Sequence, residues 1–232
     1  MTQTVLLTGG FGNLGGRIAA SLSGQLDISL RLASRSTRDV PSWAPSAEVV
    51  RLDVNDPRTF QSTFRDVDTV VHLVAISDVD SATDPAYAKT VTEDGTKMVL
   101  DAAIAANVSR FIYFSTAHVY GAPLVGFFDE TSPTCPIHPY ATTHLAAEQA
   151  VTAAHEEGKV IGIVLRCANS FGRPMRYEMG DWRTLTGDLC RQLVFENTLT
   201  LQSNGLQERN FITRTDVCSA VTHFLRLDSR RK

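Results

Sequence analysis

Short apolar runs and segments with helical periodicity alternate along most of the chain. Continuous apolar runs are typical of strands covered on both faces, whereas apolar residues three and four positions apart are typical of helices that bury one side. The predicted strands cover residues 5–7, 28–33, 49–52, 68–75, 110–115 and 160–166. The predicted helices cover residues 13–23, 85–107 and 140–157, and a further helix begins at residue 57. This alternation predicts a parallel sheet with helices on both faces.

The pattern becomes less regular after residue 168. Residues 169–174 are predicted to form a loop, as are residues 76–84 and 127–138. Beyond them we expect helices at 182–195 and 216–227, with short strands at 199–201 and 210–213. The C-terminal part is therefore expected to differ from the regular α/β layer before it.

A glycine-rich turn joins the first predicted strand to the first predicted helix. Its sequence, Thr8-Gly9-Gly10-Phe11-Gly12-Asn13-Leu14-Gly15, has a G-x-x-G-x-x-G spacing. Such a turn lets backbone N–H groups and a helix N-terminus face a pyrophosphate, because no Cβ blocks the approach. At the start of an α/β pattern it predicts a dinucleotide site; the alternative is a purely structural turn.

The end of the second predicted strand bears on which dinucleotide is bound. An acid at this point binds the ribose 2′-hydroxyl of NAD, whereas an arginine accommodates the 2′-phosphate of NADP. The chain has Ser34 followed by Arg35, with Arg38 nearby and no acid at the strand end. A guanidinium with hydroxyls suits a phosphate dianion, so we expect NADP rather than NAD. The alternative is that both arginines only solvate a surface loop.

Several other polar residues follow or interrupt predicted strands. Asp53 ends the third strand and either faces an adenine or is a loop carboxylate. His72 interrupts an apolar run and is expected to be a hydrogen-bonded core histidine. Thr116 follows the fifth strand, at the edge of the sheet where ligands bind. Tyr140 and His144 are four residues apart on a predicted helix and therefore share a face.

Composition bounds the class of protein. The chain has 232 residues, 43% of them hydrophobic, which is enough for one sizeable α/β domain. Its net charge of −3 gives no electrostatic case for nucleic acid, and no apolar run is long enough to span a membrane. Four widely spaced cysteines and six histidines show no metal-ligand or disulfide pattern. We expect reduced thiols, no metal and a cytoplasmic location.

Motifs along almost the whole chain resemble one family. The residues that carry the resemblance are the turn at 8–15, Asp53-Val54, residues 72–75, Gly95-Thr96, residues 115–121, Pro139-Tyr140, residues 165–169, residues 209–212 and residues 215–217. Together they are similar to an extended short-chain dehydrogenase/reductase of the NAD(P)-dependent sugar epimerase/dehydratase family. This resemblance implies a Rossmann-like doubly wound parallel sheet. It also implies an NAD(P)-binding domain over residues 1–168 and a reduced substrate-binding segment over 169–232, folded into a single compact unit.

The resemblance also implies roles for individual residues. The cofactor would be held by Gly9, Gly12, Asn13, Leu14, Gly15, Ser34, Arg35, Asp53, Val54, Leu73, Val74, Ala75, Tyr140 and His144. The substrate would be bound by Thr116, His118, Asn169 and Arg209. Thr116 would hydrogen-bond the reacting oxygen, and Tyr140 would be the acid/base of a hydride-transfer reaction. A tyrosinate is a suitable base only if its pKa falls from about 10 toward the working pH.

The chain departs from the family pattern at four points. His144 stands where relatives have a lysine that stabilises the tyrosinate and holds the ribose. Three alternatives follow. His144 is a weaker substitute for the lysine, or the positive nicotinamide ring supplies most of the electric field that stabilises the tyrosinate, or the protein binds cofactor without efficient turnover. Thr92 replaces a usual asparagine, and Ala117-His118 replaces the Asp-Glu pair of dehydratases, which argues against dehydration. Relatives also continue further at the C-terminus, so the substrate lid is minimal, supplied by a partner, or missing from a shortened chain.

The resulting prediction is an NAD(P)-dependent oxidoreductase or epimerase. Its substrate would be a hydroxyl of a sugar or nucleotide-sugar. The alternative is a catalytically weak NAD(P)-binding regulatory or scaffold protein of the same fold. The resemblance further implies a homodimer formed through the helices that begin near Pro85 and Tyr140.

Overall fold

The structure, a computed structural model, describes residues 2–179, 182 and 184–227. The strands are β1 (Gln3–Thr8), β2 (Ile28–Ser34), β3 (Glu48–Arg51), β4 (Thr69–His72), β5 (Arg110–Thr116), β6 (Ile161–Cys167), β7 (Asn169–Phe171) and β8 (Phe211–Thr213). The α-helices are α1 (Asn13–Ser23), α2 (Phe60–Thr63), α3 (Asp78–Thr83), α4 (Pro85–Ala88), α5 (Gly95–Ala105), α6 (Pro139–Glu156), α7 (Leu185–Phe195) and α8 (Arg214–Arg226).

In this part of the chain, six strands form one parallel sheet in the order β3-β2-β1-β4-β5-β6. The strand order reverses between β1 and β4, because β2 and β3 lie on one side of β1 whereas β4, β5 and β6 lie on the other. A crevice opens at such a switch point, outside the carboxyl ends of the strands. The architecture confirms the predicted doubly wound, Rossmann-like fold class.

The described residues bury apolar side chains in clusters on the two faces of the sheet. Successive side chains of a strand point to opposite faces, so Leu6 joins one cluster while its neighbours Val5 and Leu7 join the other. The first cluster is covered by α5 and α6, and the second by α1 and α8. Because α8 packs on the same face as α1, part of the C-terminal segment shares the core of the main layer. The division at residue 168 stays a prediction.

Local capping signals explain several element boundaries. Helix α1 covers the predicted residues 13–23, between Gly12 at its N-cap and Gly24 at its C-cap. The Asp56 side chain accepts a hydrogen bond from the Arg58 N–H and caps the helix predicted to begin at Pro57. This segment is only a short 3-10 turn followed by α2. The helical region from Pro85 is interrupted by a π-helical stretch, Lys89–Asp94, before α5.

Two predicted loops and one predicted strand were wrong. The expected loop at 76–84 contains α3, which the side chain of Ser77 caps by accepting from the Asp80 N–H. The expected loop at 169–174 begins with β7, which pairs in parallel with β8. Residues 199–201 do not form a strand; instead the backbone of Thr200 is hydrogen-bonded by the side chain of Gln192 on α7. No described helix has the length and apolar character that crossing a membrane requires.

Candidate functional site

The glycine turn is a closed cradle at the N-terminus of α1. Gly9 has a positive φ of 73°, a conformation that favours glycine. The Gly12 N–H donates to the Gly9 carbonyl at 2.9 Å, and a Cβ on Gly15 would overlap that same carbonyl oxygen. The adjacent Asn13 Oδ1 is buried without a hydrogen-bond partner among the described residues. The turn therefore fits a pyrophosphate, because α1 begins at Gly12 without a side-chain cap on its first N–H groups. The unpaired Asn13 Oδ1 is an acceptor, so its partner would be a donor such as a hydroxyl and not a phosphate oxygen.

A cleft of about 380 Å³ begins at this cradle and runs past the ends of β2, β3 and β4. It is lined by nine of the predicted cofactor residues: Gly9, Gly12, Ser34, Arg35, Asp53, Val54, Leu73, Val74 and Ala75. Two of the others lie behind it: Gly15 is buried under the turn, and Leu14 packs against the core. The structure thus brings most of the predicted cofactor residues to one crevice at the switch point.

Positive charge lies at the β2 end of the cleft. The Arg35 guanidinium is 3.5 Å from the Tyr87 hydroxyl, and the Arg38 guanidinium lies 5.1 Å above the ring of Phe11 in the glycine turn. Among the described residues neither arginine forms an ion pair. Both charges are therefore available to an anionic ligand next to Ser34.

Past the end of β3, Asp53 and Val54 have different local roles. The Asp53 carboxylate accepts from the Asn55 N–H at 3.0 Å and so shapes the turn after β3. Val54 is buried, and a Cβ on Gly95 would come within 3.0 Å of its Cγ2. Gly95 therefore lets α5 approach the end of β3 closely.

Thr116 and Tyr140 meet at the carboxyl end of β5. Thr116 is buried, and its Oγ1 accepts from the His118 N–H at 3.2 Å. Burial raises the pKa of the Tyr140 phenol, and a hydrogen bond with the Thr116 side chain partly opposes this rise. The exposed His118 ring lies 6.4 Å from the Tyr140 ring, centroid to centroid. A phenol, a hydroxyl and an imidazole thus lie together at the carboxyl end of β5, and none of these three residues lines the cleft described above.

His144 lies one turn after Tyr140, with the two ring centroids 4.6 Å apart. Its Nδ1 is 2.7 Å from the Tyr113 hydroxyl, and its buried Nε2 has no hydrogen-bond partner among the described residues. Burial lowers the pKa of His144 to about 4. At neutral pH this position therefore offers a neutral imidazole with one free nitrogen, and no positive charge.

Sequence reasoning missed Tyr113. The available signal was the period of strand β5, which places Phe111, Tyr113 and Ser115 on one face. Nothing local indicated that α6 would cover that face and bring His144 within reach of the phenol. The contact depends on the packing of a helix on a strand about thirty residues earlier.

His72 is a hydrogen-bonded core histidine, as predicted. Its Nδ1 is 2.8 Å from Thr8 Oγ1, its Nε2 is 3.2 Å from Thr96 Oγ1, and burial lowers its pKa to about 3. The Thr92 hydroxyl accepts from the Ile76 N–H at 3.0 Å, so it ties the π-helical stretch to the segment after β4. This contact gives Thr92 a structural role at the position where the asparagine was expected.

Asn169 and Arg209 lie in the β7–β8 region and not in the lining of the cleft. The Asn169 side chain donates to the Asn210 carbonyl at 3.0 Å, which helps to hold the two short strands together. Arg209 is exposed and donates to Gln207 and to the Glu208 carbonyl in its own loop. The structure therefore leaves their predicted substrate contacts as predictions.

Comparison with known proteins gives a family match over nearly the whole chain. The family model described as the NAD dependent epimerase/dehydratase family matches residues 5–232. The dTDP-D-glucose 4,6-dehydratase of Homo sapiens is 31% identical over 229 residues, which cover 94% of this chain and 64% of that protein. A UDP-glucose 4-epimerase of Rhizobium leguminosarum bv. trifolii is 29% identical over 185 residues, covering 78% of this chain and 56% of that protein.

Solved structures agree with the sequence comparisons. DesIV, a dTDP-glucose 4,6-dehydratase from Streptomyces venezuelae determined with NAD bound, matches with a TM-score of 0.81 and 25% identity, over 96% of this chain and 72% of that one. The chain spans less than two thirds of the length of either curated relative.

Proposed function

Because the chain belongs to the NAD-dependent epimerase/dehydratase family, we propose that it is an oxidoreductase or epimerase that acts on a hydroxyl of a nucleotide-sugar. Membership of this family confirms the resemblance inferred from the sequence motifs. The matched relatives include sugar dehydratases and epimerases, so the reaction class follows from the family and the particular substrate does not. Ala117 and His118 follow Thr116 in place of an acidic pair, which favours epimerisation or simple oxidation over dehydration.

The cofactor would lie in the cleft that starts at the glycine turn. Gly9, Gly12 and Asn13 would hold the pyrophosphate, and Val54 and Ala75 would lie against the rest of the dinucleotide. When bound, a nicotinamide dinucleotide supplies the hydride acceptor and donor that this chemistry requires. Arg35 favours NADP over NAD, because its guanidinium lies at the β2 end of the cleft without a carboxylate partner among the described residues.

In the proposed reaction Tyr140 is the acid/base for the substrate hydroxyl, and Thr116 orients that hydroxyl. The single observation that carries the proposal is the placement of the Tyr140 phenol and the Thr116 hydroxyl together at the carboxyl end of β5. A base must lie within hydrogen-bond reach of the proton that it takes, and this pair offers two such oxygens together. His144 would donate from Nε2 to the cofactor ribose and would not supply the charge of the family's lysine.

A panel assay tests this proposal. Purified protein is incubated with NAD+ or NADP+ and a set of UDP- and dTDP-sugars and uronates, and nicotinamide absorbance and product sugars are measured. We expect turnover of at least one nucleotide-sugar that Tyr140→Phe abolishes while cofactor affinity is retained. Turnover that survives in Tyr140→Phe would contradict the assigned role of the tyrosine.

A second candidate is a cofactor-binding protein with little or no turnover. The observation in its favour is that Tyr140 and His144 are both uncharged near neutral pH, because burial raises the pKa of Tyr140 and lowers that of His144 to about 4. The same panel separates the two functions. Tight binding of NAD+ or NADP+ without product from any sugar would favour the second candidate.

Substrate contacts and assembly are also proposals. His118 is exposed beside Tyr140 and is suited to bind the sugar, while Asn169 and Arg209 would reach it only if the β7–β8 region approaches the cleft. A homodimer through the helices that begin near Pro85 and Tyr140 is proposed from the family alone. Light scattering of the purified protein measures the oligomeric state directly.

A further inference from the structure

A buried polar contact links strand β5 to the helix that carries Tyr140. Tyr113 is fully buried in β5, and its hydroxyl is 2.7 Å from Nδ1 of His144. The two rings lie 5.8 Å apart, centroid to centroid, and His144 in turn lies 4.6 Å from the Tyr140 ring. His144 thus contacts both Tyr113 and Tyr140.

The direction of this hydrogen bond follows from acid–base strength. Burial raises the pKa of Tyr113 well above its usual value, so the phenol keeps its proton. The phenol is the stronger acid of the two groups, and the imidazole nitrogen is the stronger base. The Tyr113 O–H therefore donates to Nδ1 of His144, and the proton of the neutral ring resides on Nε2.

A neighbouring network does not compete for the phenol proton. The Thr96 hydroxyl donates to the Thr92 carbonyl at 2.5 Å, so toward other groups it acts as an acceptor. It accepts from Nε2 of His72, whose Nδ1 accepts from the Thr8 hydroxyl. The Thr96 hydroxyl lies near enough to Tyr113 to oppose part of the rise in its pKa. Its oxygen is nevertheless a weaker base than an imidazole nitrogen and already accepts from His72.

We propose that Tyr113 is a positioning residue that fixes His144 as the Nε2–H tautomer and so presents a neutral N–H donor, beside Tyr140, to a ribose hydroxyl of the cofactor. This inference rests on the proposed function for its ligand. It is supported by the buried Nε2, which has no partner among the described residues and needs one, since an unsatisfied buried donor is unfavourable.

The tautomer matters more for an imidazole than for the lysine of the family pattern. A lysine ammonium has three donors and needs no partner to orient them, whereas a neutral imidazole has a single N–H. A bare Nε2 would compete with the Tyr140 oxygen for the proton of the ribose hydroxyl. Holding the proton on Nε2 removes that competition, and a donor to Nδ1 such as the Tyr113 O–H favours this tautomer before the cofactor binds.

The first test is the protonation of the His144 ring in the cofactor-free protein. Nitrogen-15 spectra of histidine-labelled protein, assigned with His144→Gln, distinguish a protonated from a bare ring nitrogen. We expect protonated Nε2 and bare Nδ1 in the wild type, and a mixture of tautomers in Tyr113→Phe. Protonated Nδ1 in the wild type would overturn the proposal. Addition of NAD+ should shift the Nε2 signals, and bound NAD+ with unshifted signals would count equally against it.

The second test is a double-mutant cycle on the dissociation constant of NAD+. Tyr113→Phe should weaken binding about fivefold, the equivalent of one hydrogen bond of about 1 kcal/mol, and should have no further effect in His144→Ala. An equal loss in both backgrounds would show a merely structural role and would refute the proposal. Tyr120→Phe is the matched control, because its hydroxyl bonds Asp129 and Arg166 instead, and it should leave the affinity unchanged.

The two proposals fail in different ways. If NAD+ and NADP+ do not bind the wild-type protein, the proposed function fails, while the spectra of the free protein still decide whether Tyr113 sets the tautomer. If Tyr113→Phe does not fold, the wild-type spectra with and without NAD+ decide the inference alone.

Discussion

Replacing His144 with lysine tests how the charge state of Tyr140 is set. Burial keeps His144 neutral, since its pKa is lowered to about 4, and burial raises the pKa of Tyr140. A lysine would bring an ammonium next to the phenol, whose ring lies 4.6 Å from the ring that it replaces. We therefore expect His144→Lys to lower the pKa of Tyr140 and to raise turnover.

Coulomb's law gives the size of the effect. Two unit charges about 5 Å apart, at an effective dielectric constant of about 20, interact by about 3 kcal/mol. This energy corresponds to about two pKa units, or roughly a hundredfold larger tyrosinate fraction below the pKa. His144 is only 3% exposed, so desolvation of the ammonium offsets part of the gain. The expected rise in kcat/KM near neutral pH is therefore about tenfold.

The assay is kcat/KM as a function of pH, with cofactor affinity and thermal unfolding measured on the same samples. Because Tyr140 must lose its proton to act as a base, wild-type activity should rise with pH across the neutral range, and the rise should occur at lower pH in His144→Lys. His155→Lys is the matched control. It adds the same charge to an exposed position of the same helix, about 16 Å further along the axis.

A second variant separates charge from hydrogen bonding. His144→Gln keeps an N–H donor without adding charge, so it should retain cofactor binding and gain no activity. If His144→Lys folds and binds cofactor but its pH profile coincides with that of the wild type, the charge at this position does not set the pKa of Tyr140. The reasoning about the missing lysine would then be refuted.

Three further predictions follow from single features. Burial lowers the pKa of His72 to about 3 and that of His144 to about 4, so the unfolded chain takes up protons before the folded protein does as pH falls below about 6.5. The free energy of unfolding, measured in urea, should therefore fall by about 2 kcal/mol per histidine between about pH 7 and 5. His144→Gln should remove about half of that loss. Gly15→Ala should lower the unfolding temperature and abolish cofactor binding because its Cβ would overlap the Gly9 carbonyl, whereas Gly24→Ala meets open space and should do neither. Arg35→Asp should shift the ratio of NADP to NAD dissociation constants toward NAD at least tenfold, about 1.4 kcal/mol; an unchanged ratio would remove Arg35 from 2′-phosphate recognition.

The elements predicted well are those whose signals are local. Helix α1 has the predicted bounds because Gly12 and Gly24 flank a periodic apolar segment. The strands of the sheet were found because each is a short apolar run with turn residues on both sides. The position of the cleft follows from the same signals, since parallel strands end at one edge of the sheet and the glycine turn lies at that edge.

The elements predicted wrongly depend on distant partners. Strand β7 exists because residues 169–171 pair with 211–213, about forty residues later, and no periodicity within three residues can reveal that pairing. Helix α3 has only six residues and depends on the Ser77 cap, which lay within a segment judged only by its polarity. Tyr113 was missed for the same reason, because its contact with His144 forms only where α6 packs on β5.

The two ends of the crevice are constrained by different physics, and this explains why one follows the family pattern and the other does not. At the glycine turn the constraint is steric: a side chain on Gly15 would collide with the Gly9 backbone, so the backbone itself would have to shift. At residue 144 the requirement is for a hydrogen-bond donor and a positive charge near Tyr140. A group other than lysine can meet part of this requirement. A neutral histidine keeps the donor only if something fixes its tautomer, and Tyr113 is placed to do so. The charge has no replacement in the contacts of His144 that the structure describes. Under the proposed function, turnover would therefore depend on the positive charge of the bound nicotinamide ring or be slow.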